Sequence, residues 1–252
     1  MKTNFFYTIY ILWLRQLKRY FRSKSRMLGS LGQPILFLVA LGFGLNSVFS
    51  ASGEGNYIQF LSPGIIAMSI LFTAIFSGIE LIWDRQFGFL KETMVAPVSR
   101  FSIMLGRTLG GATVASFQGV LVLIISLFIG FRPEFTMIIP ALIFMVLIAL
   151  VFTALGTAIA SILEDMQGFQ LIMNFVVMPV FFLSGALFPL DKAPTVLKFV
   201  VNLNPLSYGI DGLRSVLVGV SNHNVWTDLS VLVIVSIVFV WIGAWLFSKI
   251  KV

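Results

Sequence analysis

Uncharged runs dominate the middle of the chain. Residues 108–190 include only four charged side chains, in two tight pairs, and these pairs separate three uncharged runs: 108–131, 135–163 and 166–190. Each run is longer than the roughly 20 residues that an α-helix needs to cross the hydrocarbon core of a bilayer. A helix in a water-soluble core has no need of three such runs in series. The pattern therefore predicts consecutive membrane-spanning helices.

Three further apolar segments, at 31–49, 58–83 and 229–247, have the same character. Polar turns place the fourth and fifth spans at about 137–163 and 167–188. A proline inside the fifth span is expected to kink it. We therefore predict an all-α polytopic membrane protein with six transmembrane helices.

Composition supports this class and excludes others. Of the 252 residues, 58% are hydrophobic and 11% are charged, whereas soluble domains usually carry about 25% charged residues. Six spans with short loops leave no room for a soluble domain, so we expect residues 1–252 to form a single transmembrane domain. The chain has no cysteine, which excludes disulfides and thiolate metal sites. We expect its only histidine, His223, to be solvated in a polar turn, and we predict no metal site.

Residues 1–28 are predicted to form an amphipathic helix at the membrane interface. Apolar side chains at helical spacing are followed by a stripe of arginines at i, i+4, i+7 and i+11, namely Arg15, Arg19, Arg22 and Arg26. A basic amphipathic helix of this kind lies in the headgroup region and contacts lipids. In this context we expect lipids, and not nucleic acid, to be its partner.

The segment 189–227, between the fifth and sixth spans, is too polar to cross a membrane and too apolar for a solvated loop. Asn204 followed by Pro205 is typical of a helix N-cap and first turn. In the helix that follows, one face is apolar and the other carries Asp211 and Arg214. We predict one or two short external helices, re-entrant and not spanning.

The distribution of lysine and arginine predicts the orientation. With the N-terminus inside, thirteen of these residues lie on the cytoplasmic side: seven in the N-terminal segment, four in 83–107 and two at the C-terminus. Only four lie outside. Because basic residues collect on the cytoplasmic side, both termini are predicted to be cytoplasmic, in a multi-pass protein of the cell membrane.

The sequence has no recognisable catalytic motif. It lacks the Walker-type phosphate-binding loop, the H-E-x-x-H and G-x-S-x-G motifs and any Cys/His cluster. The interiors of the predicted third to sixth spans have no ionisable residue, which argues against proton coupling because proton relays need buried titratable groups. Glu80, near the end of the second span, is expected to be solvated at the interface. We predict no catalytic residue and no cofactor in this chain.

Sparse polar side chains in the spans are the candidates for a substrate path: Thr73, Ser77 and Asn174. Thr73 and Ser77 are four residues apart and share a helix face. Such hydroxyls more often bond back to their own helix or to a neighbouring helix.

The stretch 83–107 is the only sizeable cytoplasmic surface for a partner. Phe87, Leu90 and Met94 fall at i, i+3 and i+7 and form one apolar ridge on a short helix that Pro97 ends. A helix that docks into a partner's groove needs such a ridge, and a helix that lies on lipid has the same pattern. The pattern alone fits both placements equally.

Two segments resemble the type-two permease subunits of ATP-binding-cassette exporters, especially the daunorubicin-resistance-like branch. Residues 84–100, DRQFGFLKETMVAPVSR, resemble the family's loop after the second span, and residues 182–219 resemble its fifth-span end and re-entrant region. The second segment holds the pattern Asn-Pro-Leu-x-Tyr-x-x-Asp-x-x-Arg, here Asn204, Pro205, Tyr208, Asp211 and Arg214. Many relatives have glutamate where Lys91 stands, beside Glu92, so the sign of a charge contact with a partner stays open.

The resemblance implies a division of labour. Two copies of the permease, or this chain and a similar one, would form the path, while a separate cassette ATPase would bind ATP and Mg²⁺. The short helix after the second span would be the coupling helix, and the N-terminal helix would also touch the ATPase. The residues expected to couple to the ATPase are Arg85, Phe87, Gly88, Leu90, Lys91, Glu92, Met94 and Pro97.

We therefore predict the permease subunit of an ATP-driven exporter of an amphipathic substrate, such as a drug, lipid or glycolipid. An exporter of lipid-linked saccharides is the alternative within the class. An ion-coupled transporter or channel would need no ATPase, and a membrane enzyme acting on lipids would need an acid–base or metal cluster, which the sequence does not indicate.

Overall fold

The computed structural model describes residues 5–51, 55–189 and 194–250. Within these ranges all regular secondary structure is helical, which confirms the predicted all-α class. The α-helices of these ranges are α1 Phe5–Arg22, α2 Lys24–Gly44, α3 Asn46–Ala51, α4 Tyr57–Phe76, α5 Ile79–Gln86, α6 Phe89–Val95, α7 Arg100–Ile129, α8 Ile138–Ile162, α9 Met166–Ile172, α10 Met178–Phe182, α11 Thr195–Leu203, α12 Pro205–Val218 and α13 Val225–Ser248.

Five helical segments of the described residues are long and apolar enough to cross a bilayer, namely Lys24–Gly44, Tyr57–Gln86, Arg100–Ile129, Phe135–Ile162 and Val225–Ser248. They correspond to the predicted first, second, third, fourth and sixth spans. The predicted fifth span is a shorter apolar helix, Met166–Phe182. A π-helical turn, Met173–Val177, interrupts it just before Pro179. The extra residue per turn locally relaxes the helix where the proline removes a backbone donor.

The stretch between the second and third spans is shorter than predicted. The second span continues as α5 to Gln86, and α7 already begins at Arg100. The predicted polar loop 83–107 therefore shrinks to residues 87–99. Asp84 and Arg107, which look like loop charges in the sequence, lie inside these helices and pair with each other.

Close helix crossings hold the centre of the bundle together. The α4–α5 junction crosses α8 at Gly78 and Gly156, where the two backbones approach so closely that neither position has room for a Cβ atom. Small residues allow such approaches between membrane helices. As a result α4 is buried on nearly every side, between α7 and α8.

Exposed tryptophans mark both ends of α13. Trp226 lies in its first turn and Trp245 near its end, and both are exposed. Their separation of 19 residues corresponds to about 28 Å along a helix, close to the hydrocarbon thickness that interfacial tryptophans flank. The Arg100 guanidinium donates to the carbonyl oxygen of Ser248, so α7 begins at the end of the bundle where α13 stops.

The N-terminal helix packs lengthwise against α7. The Phe5 ring stacks on Phe101, with 6.2 Å between centroids, and the Tyr20 hydroxyl donates to the Gln118 side-chain oxygen at 2.7 Å. A Cβ atom at Gly106 would come within 3.0 Å of the α1 backbone. One face of the predicted interfacial helix is therefore part of the bundle itself, a role that its amphipathic pattern does not indicate.

The segment between the fifth and sixth spans contains α11 and α12, while part of it, residues 190–193, lies outside the described residues. At 14 residues, α12 is too short to cross a bilayer. Its polar face is turned inwards as well as its apolar face, since Asp211 and Arg214 are both buried. The predicted polar face of this helix is therefore part of the packed interior of the bundle.

Candidate functional site

The short helix α6 presents a different face from the one predicted. Gly88 turns the chain between α5 and α6 with a φ of 81°, a conformation that glycine adopts without steric cost. Leu90 is fully buried in the chain's own core, and Met94 packs partly against that core. Phe87 and Val95, in contrast, are 84% and 86% exposed. The predicted single ridge is therefore split, and Leu90 cannot contact a partner.

The outward surface of this region combines apolar and charged groups. Lys91 and Val95 lie four residues apart on one face of α6, and Glu92 is also exposed. Phe87 extends this surface from the preceding turn, and Pro97 is exposed after the helix. We call Phe87, Lys91, Glu92 and Val95 the coupling face.

A buried set of charges lies directly behind the coupling face. Both carboxylate oxygens of Asp84 accept from the Arg15 guanidinium at 2.9 Å, and Arg107 donates to the same carboxylate. Arg19 approaches Asp84 to 3.7 Å. Asp84 and Arg107 are nearly inaccessible. Buried charges of this kind are tolerated only when they are paired.

The same set extends to Glu80, one turn earlier in α5. Arg26 donates to its carboxylate, and Arg19 lies 3.7 Å from it. Glu80 is therefore buried and paired, and the expectation of a solvated interfacial glutamate is wrong. We call this set the inner charge cluster: Arg15, Arg19, Arg26, Glu80, Asp84 and Arg107.

Contacts join the inner charge cluster to α6. The Arg15 guanidinium carbon lies 3.7 Å from the centre of the Phe89 ring, at the start of α6. On the other side, Arg85 donates to the Glu164 carboxylate at 3.0 Å, between α8 and α9. Phe89 thus connects α6 to the cluster, and Arg85 connects α5 to the start of the fifth span.

Three of the four arginines in the predicted lipid-facing stripe have protein partners instead. Arg15, Arg19 and Arg26 point to the carboxylates of α5. Arg22 is exposed and lies beside Lys18 and Lys24. Contact with lipid headgroups remains a prediction for these exposed cations.

A cavity of about 440 Å³ opens beside the inner charge cluster. Its walls come from α2, α4 and α5, together with Met166 of α9. The lining combines apolar side chains such as Phe72 and Phe76 with polar ones such as Gln33 and Glu80. Burial raises the pKa of the Tyr20 hydroxyl, which also lines the cavity, so it stays a hydrogen-bond donor.

The structure separates the three residues of the predicted substrate path. Thr73 lines the cavity. The Ser77 hydroxyl donates to the Ala74 carbonyl oxygen of its own helix at 2.6 Å. Asn174 is exposed on the π-helical turn. Only Thr73 therefore has a position from which it can contact a molecule in the cavity.

The five motif residues Asn204, Pro205, Tyr208, Asp211 and Arg214, which we call the external motif after their predicted location, connect several elements at the end of the bundle opposite α6. The Asn204 side chain caps α12 by accepting from the Leu206 backbone at 3.0 Å, and its amide donates to the Val180 carbonyl oxygen. Pro205 occupies the first turn of α12, where the backbone N–H that proline lacks would have no acceptor within the helix. The Tyr208 hydroxyl donates to the Asn202 carbonyl oxygen at 2.8 Å.

The two charged residues of the motif bind backbone groups. Asp211 accepts from the backbone amides of Asn222 and His223 at 2.8–3.0 Å. Arg214 donates to the carbonyl oxygens of Phe60 and Gly185 and lies over the Phe60 ring. In this chain the motif therefore fastens α12 to the second span, the fifth span and the loop before the sixth.

Sequence reasoning missed the buried charges. Arg107 lies in α7 and Asp228 in α13, each just before the predicted start of its span, so the third and sixth spans begin earlier than predicted and do carry buried ionisable residues. A weak signal was present, because Asp84 and Arg107 each lie next to a predicted span end. Their mutual pairing could not be read from their separation of 23 residues.

Comparisons with known proteins agree with this architecture. Residues 7–218 match the family described as ABC-2 type transporter. The putative transport permease ycf38 of Cyanophora paradoxa is 29% identical over 98% of this chain and 91% of its own length. The protein of that name in Pyropia yezoensis is 34% identical over 77% of this chain and 68% of its own length. Nodulation protein J of Rhizobium leguminosarum bv. trifolii is 30% identical over 77% of this chain and 75% of its own length.

Proposed function

This chain belongs to the ABC-2 type transporter family, and we propose that it is the membrane-spanning subunit of an ATP-driven exporter whose ATPase is a separate protein. The ATPase would bind ATP and Mg²⁺, since this sequence has no phosphate-binding loop. The observation that carries the proposal is the coupling face, an exposed apolar and charged surface backed by a buried charge cluster.

The coupling face suits a partner better than lipid alone. Phe87 and Val95 are almost fully exposed, while Leu90 and Met94 anchor the same short helix to the bundle. An anchored helix with projecting apolar groups can fill a groove on another protein and transmit its movement. We propose that closure of the ATPase moves α6 and that the inner charge cluster passes this movement to the spans.

We propose an amphipathic substrate, such as a drug, lipid or glycolipid. The cavity beside the inner charge cluster supports this class, because its lining combines aromatic and aliphatic side chains with a few polar groups. Thr73 and Gln33 are the side chains placed to bind the polar part. The apolar part would lie against Phe72 and Phe76.

We also propose that a second permease, identical or similar, completes the path. The cavity is open, because lining residues such as Gln33 and Phe76 are exposed. The fifth span, whose Met166 also lines the cavity, leaves large apolar side chains exposed, among them Leu171 and Phe175. A second copy would cover part of this surface, and lipid the rest.

Ion-coupled transport is the main alternative from another class. The argument that the spans lack ionisable groups does not hold, because Arg107 and Asp228 lie in the third and sixth spans and the buried Glu80 and Asp84 in the second. Glu80 and Asp84 are held in ion pairs by arginines, however, an arrangement that favours a structural role. Membership of the family supports ATP-driven transport more directly.

The proposal predicts a specific effect of Phe87→Asp. A charge at this exposed position cannot enter an apolar groove, and about 1.4 kcal/mol of lost contact already weakens binding tenfold. When the tagged chain is purified from its native membranes, ATP hydrolysis should accompany the parent chain and be lost with the variant. Because the side chain is exposed, the yield and thermal unfolding temperature of the variant should match the parent.

Phe87→Leu is the matched control, since it keeps an apolar side chain at the same position. It should retain the ATPase and transport. Undiminished ATPase recovery with Phe87→Asp, together with normal transport, would rule out the coupling role. ATP hydrolysis by the chain when it is fully separated from other proteins would refute the division of labour.

A further inference from the structure

The first turns of α13 bury an acidic side chain at the end of the bundle opposite the coupling face. Asp228 is fully buried there. Among the described residues, neither of its carboxylate oxygens has a hydrogen-bond partner. A helix N-terminus favours negative charge, but this effect is small beside the cost of burying an unpaired carboxylate. Among the residues that the structure describes, nothing therefore compensates this charge.

Two other ligand groups face Asp228. Ligand atoms of Asp211, His223 and Asp228 all lie within 4.8 Å of one another. Nδ1 of His223 is 3.4 Å from Oδ2 of Asp211, and within the part of the chain that the structure describes it accepts or donates no hydrogen bond. Two ligands of a tetrahedral zinc ion, each about 2.1 Å from the metal, are also about 3.4 Å apart.

Backbone contacts hold two of these groups in place. Asp211 accepts from the Asn222 backbone at 2.9 Å, from the Asn222 side chain at 3.1 Å and from the His223 backbone at 2.8 Å. These bonds fix the loop before α13 against α12. They use carboxylate lone pairs of Asp211 but leave the His223 ring nitrogen and the Asp228 oxygens available to one shared ligand.

We propose that Asp211, His223 and Asp228 bind one divalent transition-metal ion. An imidazole nitrogen with two carboxylates suits Zn²⁺ or Mn²⁺ better than Mg²⁺ or Ca²⁺, which prefer sites made of oxygen ligands alone. The ion compensates the buried Asp228 charge and joins α12 to α13. His223 is then a ligand, contrary to the expectation of a solvated side chain. The site is independent of the ATPase and of the proposed substrate cavity.

Metal binding by the purified full-length chain tests the proposal. The chain is stripped with a chelator and titrated separately with Zn²⁺, Mn²⁺ and Mg²⁺, while bound metal is counted by elemental analysis. We expect one Zn²⁺ or Mn²⁺ ion per chain, an increased thermal unfolding temperature with that ion, and no increase with Mg²⁺. Asp228→Asn and His223→Ala should each weaken binding at least about tenfold.

Glu134→Gln is the matched control, because Glu134 is an exposed carboxylate at the same end of the bundle. It should leave metal binding unchanged. Asp228→Asn has a second readout, since removal of an unpaired buried charge should raise the unfolding temperature of the metal-free chain. If no ion binds, or if binding is equal in the parent and His223→Ala, the proposal is wrong. Because these criteria depend only on the parent and His223→Ala, the test remains decisive even if Asp228→Asn does not fold.

Discussion

Asp84 is the residue on which the inner charge cluster depends. It pairs with Arg15 and with the buried Arg107. Asp84→Asn leaves Arg107 buried without its charged partner, and breaking a buried pair in this way costs about 3–5 kcal/mol. We therefore expect a clearly lower thermal unfolding temperature in detergent and loss of transport.

Glu164→Gln is the matched control for this prediction. It also removes a carboxylate from an arginine, Arg85, but the Glu164 side chain is 79% exposed. Exposed ion pairs contribute about 0–1 kcal/mol, so the unfolding temperature should hardly change. Equal destabilisation by the two variants would show that burial of the cluster is not what stabilises it.

Leu90 and Phe87 show what a sequence pattern can and cannot predict at this scale. The spacing correctly indicates a short amphipathic helix before Pro97. It does not indicate which apolar side chains face the chain's own core, because α6 and the turn before it have apolar groups on both sides. The answer depends on how α5 and α6 meet at Gly88, and that angle comes from tertiary packing. Leu90→Asp would therefore disturb folding and could not isolate docking.

At the scale of elements, the crossing of the second and fourth spans is a close backbone contact that can be tested. Gly78 faces the backbone of Gly156, with no space for a Cβ atom. Gly78→Val must push α5 and α8 apart, and overpacking of this kind costs about 1–3 kcal/mol or more. We expect less folded protein in size-exclusion chromatography and a lower unfolding temperature.

Gly32→Val provides the comparison. Gly32 lies in the middle of α2, and nothing approaches its Cβ direction within 4 Å. This variant should fold like the parent. If Gly78→Val were equally harmless, the close approach of the two spans would not be a real feature of the fold.

The sequence predicted most spans well because each is a long run without charges, a signal that needs no tertiary information. It predicted the ends of the second and third spans poorly. An unpaired Asp84 or Arg107 would be too costly in lipid, so the sequence pattern places both residues in the loop between the spans. Pairing across the bundle makes both tolerable inside helices. The π-helical turn in the fifth span likewise depends on how that helix packs around Pro179.

At the scale of the whole molecule, the two ends of the bundle have different roles in this account. One end has the coupling face, with the inner charge cluster and the cavity behind it. The other end is fastened by the external motif and holds the proposed metal site. The excess of lysine and arginine near the coupling face predicts that this end is cytoplasmic.

Cross-linking from single cysteines can locate the ATPase on this chain, because the parent chain has no cysteine. Val95→Cys places one thiol on the coupling face, and Ser221→Cys places one on an exposed loop at the other end. A thiol-to-amine cross-linker is added to membranes that contain the chain and its ATPase. We expect the ATPase to be linked to the Val95→Cys chain and not to the Ser221→Cys chain. Linkage from Ser221→Cys without linkage from Val95→Cys would contradict both the docking site and the orientation.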